Sequence, residues 1–166
     1  MLNRLSRDLS ITGHVYSWFE SYLQNKFQSV SINSGILDKL HIKYAVPQGS
    51  CLVPLLFVLY GSKLFKISEQ HLPDVHTYAD DTQLYLFFNA YSSAEQSAAL
   101  LAMQKCIAYI KKWMLQDRLK LNDGKTEFII IGTRQQLVKV NIDSLQVGES
   151  CTAPSKRVKN LGCWFD

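Results

Sequence analysis

The sequence lacks the cysteine patterns that mark zinc-binding and disulfide-stapled proteins. Its four cysteines lie far apart, form no C-x-x-C pair and have no histidine neighbours at zinc spacing. They are Cys51, Cys106, Cys151 and Cys163. We therefore expect neither a zinc-binding motif nor a disulfide framework. The absence of a disulfide pattern is most consistent with a protein of a reducing compartment.

Long hydrophobic runs and a secretory leader are also missing. The longest apolar run, residues 52–60, is interrupted by Pro54 and is too short to cross a bilayer. Residues 1–20 carry charged side chains, Arg4 among them, within a helical pattern, so they do not resemble a signal peptide. We expect an intracellular protein, nuclear or cytoplasmic, without a membrane partner.

The chain has only a small excess of positive over negative charge. The chain has 18 Lys and Arg against 14 Asp and Glu, a net charge of +4, which permits a polyanionic partner without demonstrating one. Hydrophobic residues make up 47% and charged residues 19%, which excludes global disorder. A length of 166 residues suggests one domain with a real core.

Two adjacent acids, Asp80 and Asp81, separate two segments that have the composition of strands. Residues 74–77 precede them and residues 82–88 follow, and their aromatic and β-branched side chains favour a β-hairpin. Neighbouring side chains of a regular strand point to opposite faces, whereas at a bend both carboxylates can face one cation. We predict an antiparallel hairpin with both acids near its bend. The alternative is a solvated turn, because Asp is a common turn residue.

A polar loop that contains Gly49 precedes the most apolar segment of the chain. Pro47 ends the strand before this loop, and residues 52–60 are apolar enough to predict a helix buried on all sides. Free N–H groups at the N-terminus of such a helix can face an anion. Loops of this kind also have purely structural roles, so the loop alone leaves both interpretations open.

The clearest helix signal covers residues 93–117. Ser92 and Glu95 have the spacing of a capping box, in which Glu95 reaches back to the N-cap. Apolar residues then recur at three- and four-residue steps. Four members of this stripe are expected to be buried: Leu100, Ile107, Ile110 and Met114. The lysines lie off the stripe, at positions 105, 111 and 112, which predicts a solvated basic face.

Weaker patterns predict the remaining elements. Leucines at helical spacing indicate a helix within residues 1–10, and an apolar face indicates a second one after Gly13. Asp123-Gly124 is a turn signal. Residues 135–147 show little pattern. Apolar or alternating residues predict strands in four segments: 28–32, 40–46, 126–131 and 158–165. The first two strands are expected to pair as a hairpin around Ser34-Gly35.

Several short motifs follow one another in a fixed order. They are Pro47-Gln48-Gly49-Ser50, Pro54-Leu55-Leu56-Phe57, Tyr78-Ala79-Asp80-Asp81, Leu119-Lys120-Leu121-Asn122, Lys125-Thr126-Glu127 and Asn160-Leu161-Gly162. Together they resemble a reverse transcriptase of the non-LTR retrotransposon (LINE) type. The resemblance covers nearly the whole chain, and it implies that residues 1–166 are a partial reverse transcriptase domain. The implied fold is α+β, a fragment of a right-hand polymerase palm with helices packed on one face of an antiparallel sheet.

The resemblance also implies a chemistry and its cofactors. Such enzymes carry out RNA-directed DNA synthesis, using an RNA template, a DNA primer, dNTPs and two Mg²⁺ ions. Asp80 and Asp81 match the paired catalytic aspartates that bind the metal, and their hard carboxylate oxygens suit magnesium. Tyr78 would pack beneath these acids or touch the primer end.

Three further residues match positions near the substrates. Gln48 and Gly49 match the loop that borders the template and the incoming nucleotide. Lys125 matches a lysine placed near the triphosphate. A solvent-facing loop lysine is the alternative for Lys125.

The sequence departs from the family pattern in two places. Val53 stands where the family usually has Gly, and its branched side chain stiffens the loop. The family's third metal-binding aspartate lies on a strand before the region where this chain starts, and Asp8 and Asp38 have the wrong contexts to replace it. The fingers, the thumb and the endonuclease of the polyprotein are likewise expected to be missing.

Two classes of function therefore compete. The first is a polymerase palm whose isolated chain we expect to be inactive, because the metal site is incomplete. The second is a non-catalytic, palm-like remnant with at most non-specific binding of RNA.

Overall fold

The computed structural model describes residues 2–33, 35–42, 49–71 and 73–166. They divide into two compact units, Met1–Tyr60 and Gly61–Asp166. Helices and short antiparallel strands make up both units, which confirms the predicted α+β class. The described strands pair as two-stranded antiparallel ladders. None of the described helices is both long and apolar enough to span a membrane.

Three helices form the core of the first unit: α1 Leu2–Arg7, α2 Gly13–Leu23 and α3 Val53–Gly61. The first two lie where the leucine and aromatic spacing predicted them. Leu5, Phe19 and Leu56 come from one helix each and form a buried cluster. Burial of one apolar stripe per helix is what stabilises helices this short, since isolated ones are marginal in water.

The strands of the first unit form the hairpin that was predicted around residues 34 and 35. Its four ladder segments are β1 Lys26–Gln28, β2 Ser31–Ile32, β3 Gly35–Ile36 and β4 Leu40–Ile42. β1 pairs with β4, and β2 pairs with β3. The register shifts by one residue between the two ladders, so Asp38 and Lys39 oppose the single residue Ser29. This irregularity resembles a β-bulge and explains why residues 28–32 are not the continuous strand we predicted. Residues 43–46 of the second predicted strand lie outside the described part of the chain.

The helix α3 forms where it was predicted, but the prediction that it is buried on all sides is wrong within the described structure. Leu56 is 2% exposed, whereas Leu55 is 50% and Val58 62% exposed. One face of α3 packs into the cluster of the first unit, and no described element of that unit covers the opposite face. A uniformly apolar composition predicts a helix that can be buried, but it does not supply the neighbours that bury it.

The second unit is built around a long helix. Its first elements are α4 Lys63–Ser68, β5 Asp74–Tyr78, β6 Asp81–Tyr85 and α5 Ser93–Gln116. The backbone N–H of Glu95 donates to Ser92 Oγ at 3.3 Å, so the predicted N-cap is confirmed. The reciprocal half of the capping box is not formed. The Glu95 carboxylate accepts instead from the N–H of Asn89 at 3.2 Å, because the N–H of Ser92 already donates to the carbonyl of Asn89.

Helix α5 packs through two neighbouring hydrophobic clusters. The first is formed by Leu64, Cys106, Ile110 and Trp113, and the second by Ile107, Leu145 and Val147. Burial of Ile107 and Ile110 was predicted and is confirmed. Leu100 and Met114 were expected to be buried as well but are half-buried, because they lie at the margins of these clusters.

The C-terminal part of the second unit differs most from prediction. A 3₁₀-helix, Asp123–Lys125, forms at the predicted turn. It is followed by α6 Arg134–Leu137, β7 Leu145–Val147, β8 Ser150–Thr152, β9 Val158–Asn160 and β10 Cys163–Phe165. β7 pairs with β8, and β9 pairs with β10.

Two strand predictions in this region are wrong. Residues 126–131 join no ladder among the described residues, although positions 128–131 are all apolar. The carbonyl of Phe128 accepts from the N–H of Ser155 at 2.7 Å. The segment 158–165 is a hairpin rather than one strand, because Leu161 and Gly162 adopt left-handed backbone angles that turn the chain. Conversely, β7 lies in a segment that showed little pattern.

Candidate functional site

The paired acids lie at the tip of a tight antiparallel hairpin. Strands β5 and β6 pair along their whole length, from Asp74 opposite Tyr85 to Tyr78 opposite Asp81. Ala79 and Asp80 form a two-residue loop between them, and Ala79 has a φ of +51°. Two-residue hairpin loops favour positive φ because it matches the twist of the flanking strands. The predicted hairpin with both acids near its bend is confirmed.

The two faces of this hairpin have different surroundings. Directly opposed residues point to the same face, so Val75 and Leu84 share one face, and both pack against the hydrophobic clusters of α5. Tyr78 and Asp81 also oppose each other and therefore share a face. Each lies three residues, an odd number, from Val75 or Leu84, so this face is the one turned away from these clusters. Both are exposed, Tyr78 by 62%. Packing on one side thus presents Asp81 and Tyr78 on the open side.

The chemistry of these acids suits a divalent cation. Asp80 and Asp81 are both exposed, and neighbouring carboxylates at a bend can turn their oxygens to one ion while water completes its coordination. Among the described residues, no group of three or more His, Cys, Asp or Glu side chains could hold a metal ion. The bend thus carries two exposed carboxylates, and no third His, Cys, Asp or Glu side chain joins them among the described residues.

Lys125 lies on a segment that shares a hydrophobic cluster with the hairpin. It is exposed and ends the 3₁₀-helix. Leu121 and Phe128, on either side of that helix, pack against the cluster of Ile107, Leu145 and Val147, and so does Leu84 of β6. The hairpin and the lysine-bearing segment are thus held by one cluster.

The remaining predicted residues lie in the first unit. Gly49 is exposed and has a φ of +88°, a left-handed conformation that L side chains rarely adopt. Gln48 lies outside the described residues. Ser50 follows Gly49 and begins the turn into α3, since the N–H of Val53 donates to the carbonyl of Ser50 at 3.1 Å. Val53, where the resemblance led us to expect a glycine, is the first residue of that helix.

Sequence reasoning missed an ion pair beside the Lys125 segment. Lys105 and Lys112 are exposed as predicted, but Lys111 does not belong to a solvated face. Its ammonium donates to Asp123 Oδ2 at 3.2 Å, and the two side chains are only 27% and 24% exposed. Gly148, in the turn between β7 and β8, lies directly against this pair. Lys111 and Asp123 are twelve residues apart, so helical periodicity carries no signal for the contact.

A family model described as "Reverse transcriptase (RNA-dependent DNA polymerase)" matches residues 4–165. The chain belongs to the reverse transcriptase family. The prediction of a reverse transcriptase is confirmed, and the family acts on a nucleic-acid template and primer. The matched region contains the Tyr78–Asp81 motif, the Gly49 loop and Lys125.

A curated relative supports the same assignment. The reverse transcriptase chain is 29% identical over 116 residues to a Drosophila melanogaster protein named "Probable RNA-directed DNA polymerase from transposon BS". The alignment covers 67% of this chain and 12% of that protein, so the chain spans only a small part of the relative's length. No solved structure matches the chain.

Proposed function

We propose that this reverse transcriptase chain is the palm region of a non-LTR (LINE) type RNA-directed DNA polymerase. In this proposal residues 1–166 are one part of a reverse transcriptase domain that copies an RNA template onto a DNA primer from dNTPs. The fingers, the thumb and the strand with the third aspartate belong to the rest of the polyprotein. The region aligned with the curated relative is only 12% of that protein's length, which supports the proposal that this chain is part of a longer protein.

One observation carries the proposal. The hairpin β5–β6 packs one face on α5 and presents Asp81 with Tyr78 on the other, while Asp80 occupies the loop at its tip. Two carboxylates on an exposed bend can bind a cation and contact the end of a nucleic-acid strand without a change in the packing of the hydrophobic core. The alternative, an ordinary solvated turn, would not require that the two acids belong to a family motif and lie on the open side of the hairpin.

Each proposed residue has a distinct task. Asp80 and Asp81 hold Mg²⁺ through their carboxylate oxygens. When bound, the pair of ions lowers the pKa of the primer 3′-hydroxyl and neutralises the triphosphate during in-line displacement. In this proposal Tyr78, which is exposed opposite Asp81, contacts the primer end. Lys125 adds positive charge near the triphosphate.

The loop of Gln48 and Gly49 borders the template and the incoming nucleotide. The left-handed φ of Gly49 lets the backbone turn there without a side chain, which leaves room for a base or a phosphate to approach. Val53 begins α3 rather than lying in the loop itself, so its branched side chain is compatible with the helix.

We further propose that the isolated chain extends no primer. Two carboxylates without a third bridging ligand hold the ions loosely, and a misplacement of ~1 Å can reduce a rate about a hundredfold. Template-directed nucleotide incorporation, measured with purified protein in Mg²⁺ and in Mn²⁺, should stay at background. Incorporation that Asp80→Ala abolishes would contradict this and would mean that another residue of the chain completes the site.

Binding of the cation is the direct test of the site. Paramagnetic Mn²⁺ should broaden the amide resonances of residues 79–82 in the wild-type chain. Asp80→Asn and Asp81→Asn should each weaken this broadening, because each removes one anionic ligand.

The matched control is Asp74→Asn, which changes an exposed aspartate at the other end of the same ladder. It should leave the broadening unchanged. Equal loss in all three variants would indicate general charge attraction and would argue for the alternative, a remnant that binds nucleic acid without a metal site.

A further inference from the structure

We propose that Tyr22 is a positioning residue, which holds the Gly49 loop in place through a hydrogen bond to Ser50. The inference rests on the proposed role of that loop at the template and the incoming nucleotide. Neither the family motifs nor the helical pattern of α2 assigns such a task to Tyr22, which belongs to the apolar face of that helix.

The contact joins two distant points of the first unit. The hydroxyl of Tyr22, on α2, is hydrogen-bonded to Ser50 Oγ, 28 residues further along the chain. Ser50 Oγ also accepts from the N–H of Leu52 at 3.4 Å, and the Ser50 carbonyl accepts from the N–H of Val53 at 3.1 Å. Ser50 is therefore the point at which the loop is attached both to α2 and to the start of α3.

The ring of Tyr22 is itself held firmly. The ring of Trp18, one helical turn earlier, stacks on it with centroids 5.5 Å apart and planes 7° from parallel. The ammonium of Lys26 lies 5.1 Å from its centroid, and the ring packs against the cluster of Leu5, Phe19 and Leu56. The hydroxyl is thus already oriented, so its bond to Ser50 loses little conformational entropy.

The described part of the loop is open around Gly49. Apart from its two chain neighbours, nothing in the described structure lies within 4 Å of a Cβ built on Gly49. The described bonds that tie the loop to its surroundings are those of Ser50. Removal of the Tyr22 hydroxyl should leave the ring packing intact, loosen the turn at Ser50, and so reduce the contact of Gly49 with nucleic acid.

The test compares Tyr22→Phe with Ser50→Ala and with the double variant. The probe is a fluorescently labelled RNA–DNA template–primer duplex, titrated at low salt, and amide hydrogen exchange of Leu52 and Val53 is measured in parallel. Each single variant should weaken duplex binding about fivefold, the effect of one neutral hydrogen bond. The double variant should be no weaker than either single one, because both remove the same contact.

The matched control is Tyr16→Phe, on the same helix, for which the described residues provide no hydrogen-bond partner. It should bind as the wild type does. Loss of the hydrogen bond should lower the melting temperature of Tyr22→Phe by only about 2–4 °C, and Leu52 and Val53 should exchange faster. A merely structural role would leave the binding of the folded chain unchanged.

Two failures can be told apart. Wild-type affinity in Tyr22→Phe, or additive losses in the double variant, would overturn this inference and leave the proposed function standing. If the wild-type chain does not bind the duplex, the proposed function fails, and the functional part of this inference fails with it.

Discussion

Replacing Gly148 by Ala should destabilise the second unit by more than backbone strain alone. Gly148 has a φ of +62°, and a Cβ built there would overlap Lys111 Nζ and lie 2.5 Å from Asp123 Oδ2. Both contacts are far closer than van der Waals packing allows. The alanine methyl group and the Lys111–Asp123 ion pair therefore cannot occupy their present positions together.

The magnitude follows from two contributions. Placing a residue with a Cβ in the left-handed region costs roughly 1–2 kcal/mol. Opening an ion pair that is only partly exposed costs about 0.2–1 kcal/mol. Asp123 Oδ1 is buried and makes no hydrogen bond within the described structure, so the displaced carboxylate has little compensation nearby. We expect a total loss of about 1–3 kcal/mol in the free energy of unfolding.

Urea denaturation followed by circular dichroism would measure this loss. Gly162→Ala is the matched control in the same unit, since its φ is +90° but nothing described lies within 4 Å of the added Cβ. A second control is Gly148→Ala in a Lys111→Ala, Asp123→Ala background, where only the strain should remain. If Gly148→Ala costs no more than Gly162→Ala, or costs the same in both backgrounds, the reasoning about the ion pair is refuted.

Two further predictions concern helix α5. Ile107→Asp should lower the free energy of unfolding by ~3–5 kcal/mol, because it places an unpaired charge among Leu145 and Val147. The control Ala108→Asp, on the exposed side of the helix, should cost less than about 1 kcal/mol. Similar denaturation midpoints for both variants would contradict the packing. Burial raises the pKa of the Cys106 thiol above its ordinary 9.0. Iodoacetamide should therefore label the exposed cysteines first and Cys106 only on unfolding. The stability contributed by Cys106 should be fully present below pH 9.0 and be lost as the pH rises through the higher folded-state pKa. A pH–stability profile of Cys106→Ala identical to the wild type's would contradict this.

Local features of the structure could be predicted from neighbouring residues. The hairpin around Asp80 and the N-cap at Ser92 each depend on a few residues that are adjacent in sequence, because turn chemistry and strand alternation act over short distances. The ordered motifs likewise identified the family, since each is a short string of residues. Burial of Ile107 followed from the periodicity of a long helix.

Features that depend on contacts between residues far apart in the sequence could not be predicted from local patterns. The strand β7 was missed because a three-residue segment has almost no period, yet Val147 is fully buried once α5 lies against it. Helix α3 was expected to be buried all round, but burial requires neighbours as well as apolar side chains.

The site shows the same division between local and distant effects. Local sequence is enough to predict two carboxylates at the tip of a hairpin, because both strands and the turn between them lie within twelve residues of the chain, from Asp74 to Tyr85. Which face of that hairpin is open depends instead on long-range packing, that of Val75 and Leu84 on α5. The tertiary fold likewise brings Tyr22 to Ser50 and pairs Lys111 with Asp123, since the chain must fold back before these side chains can meet.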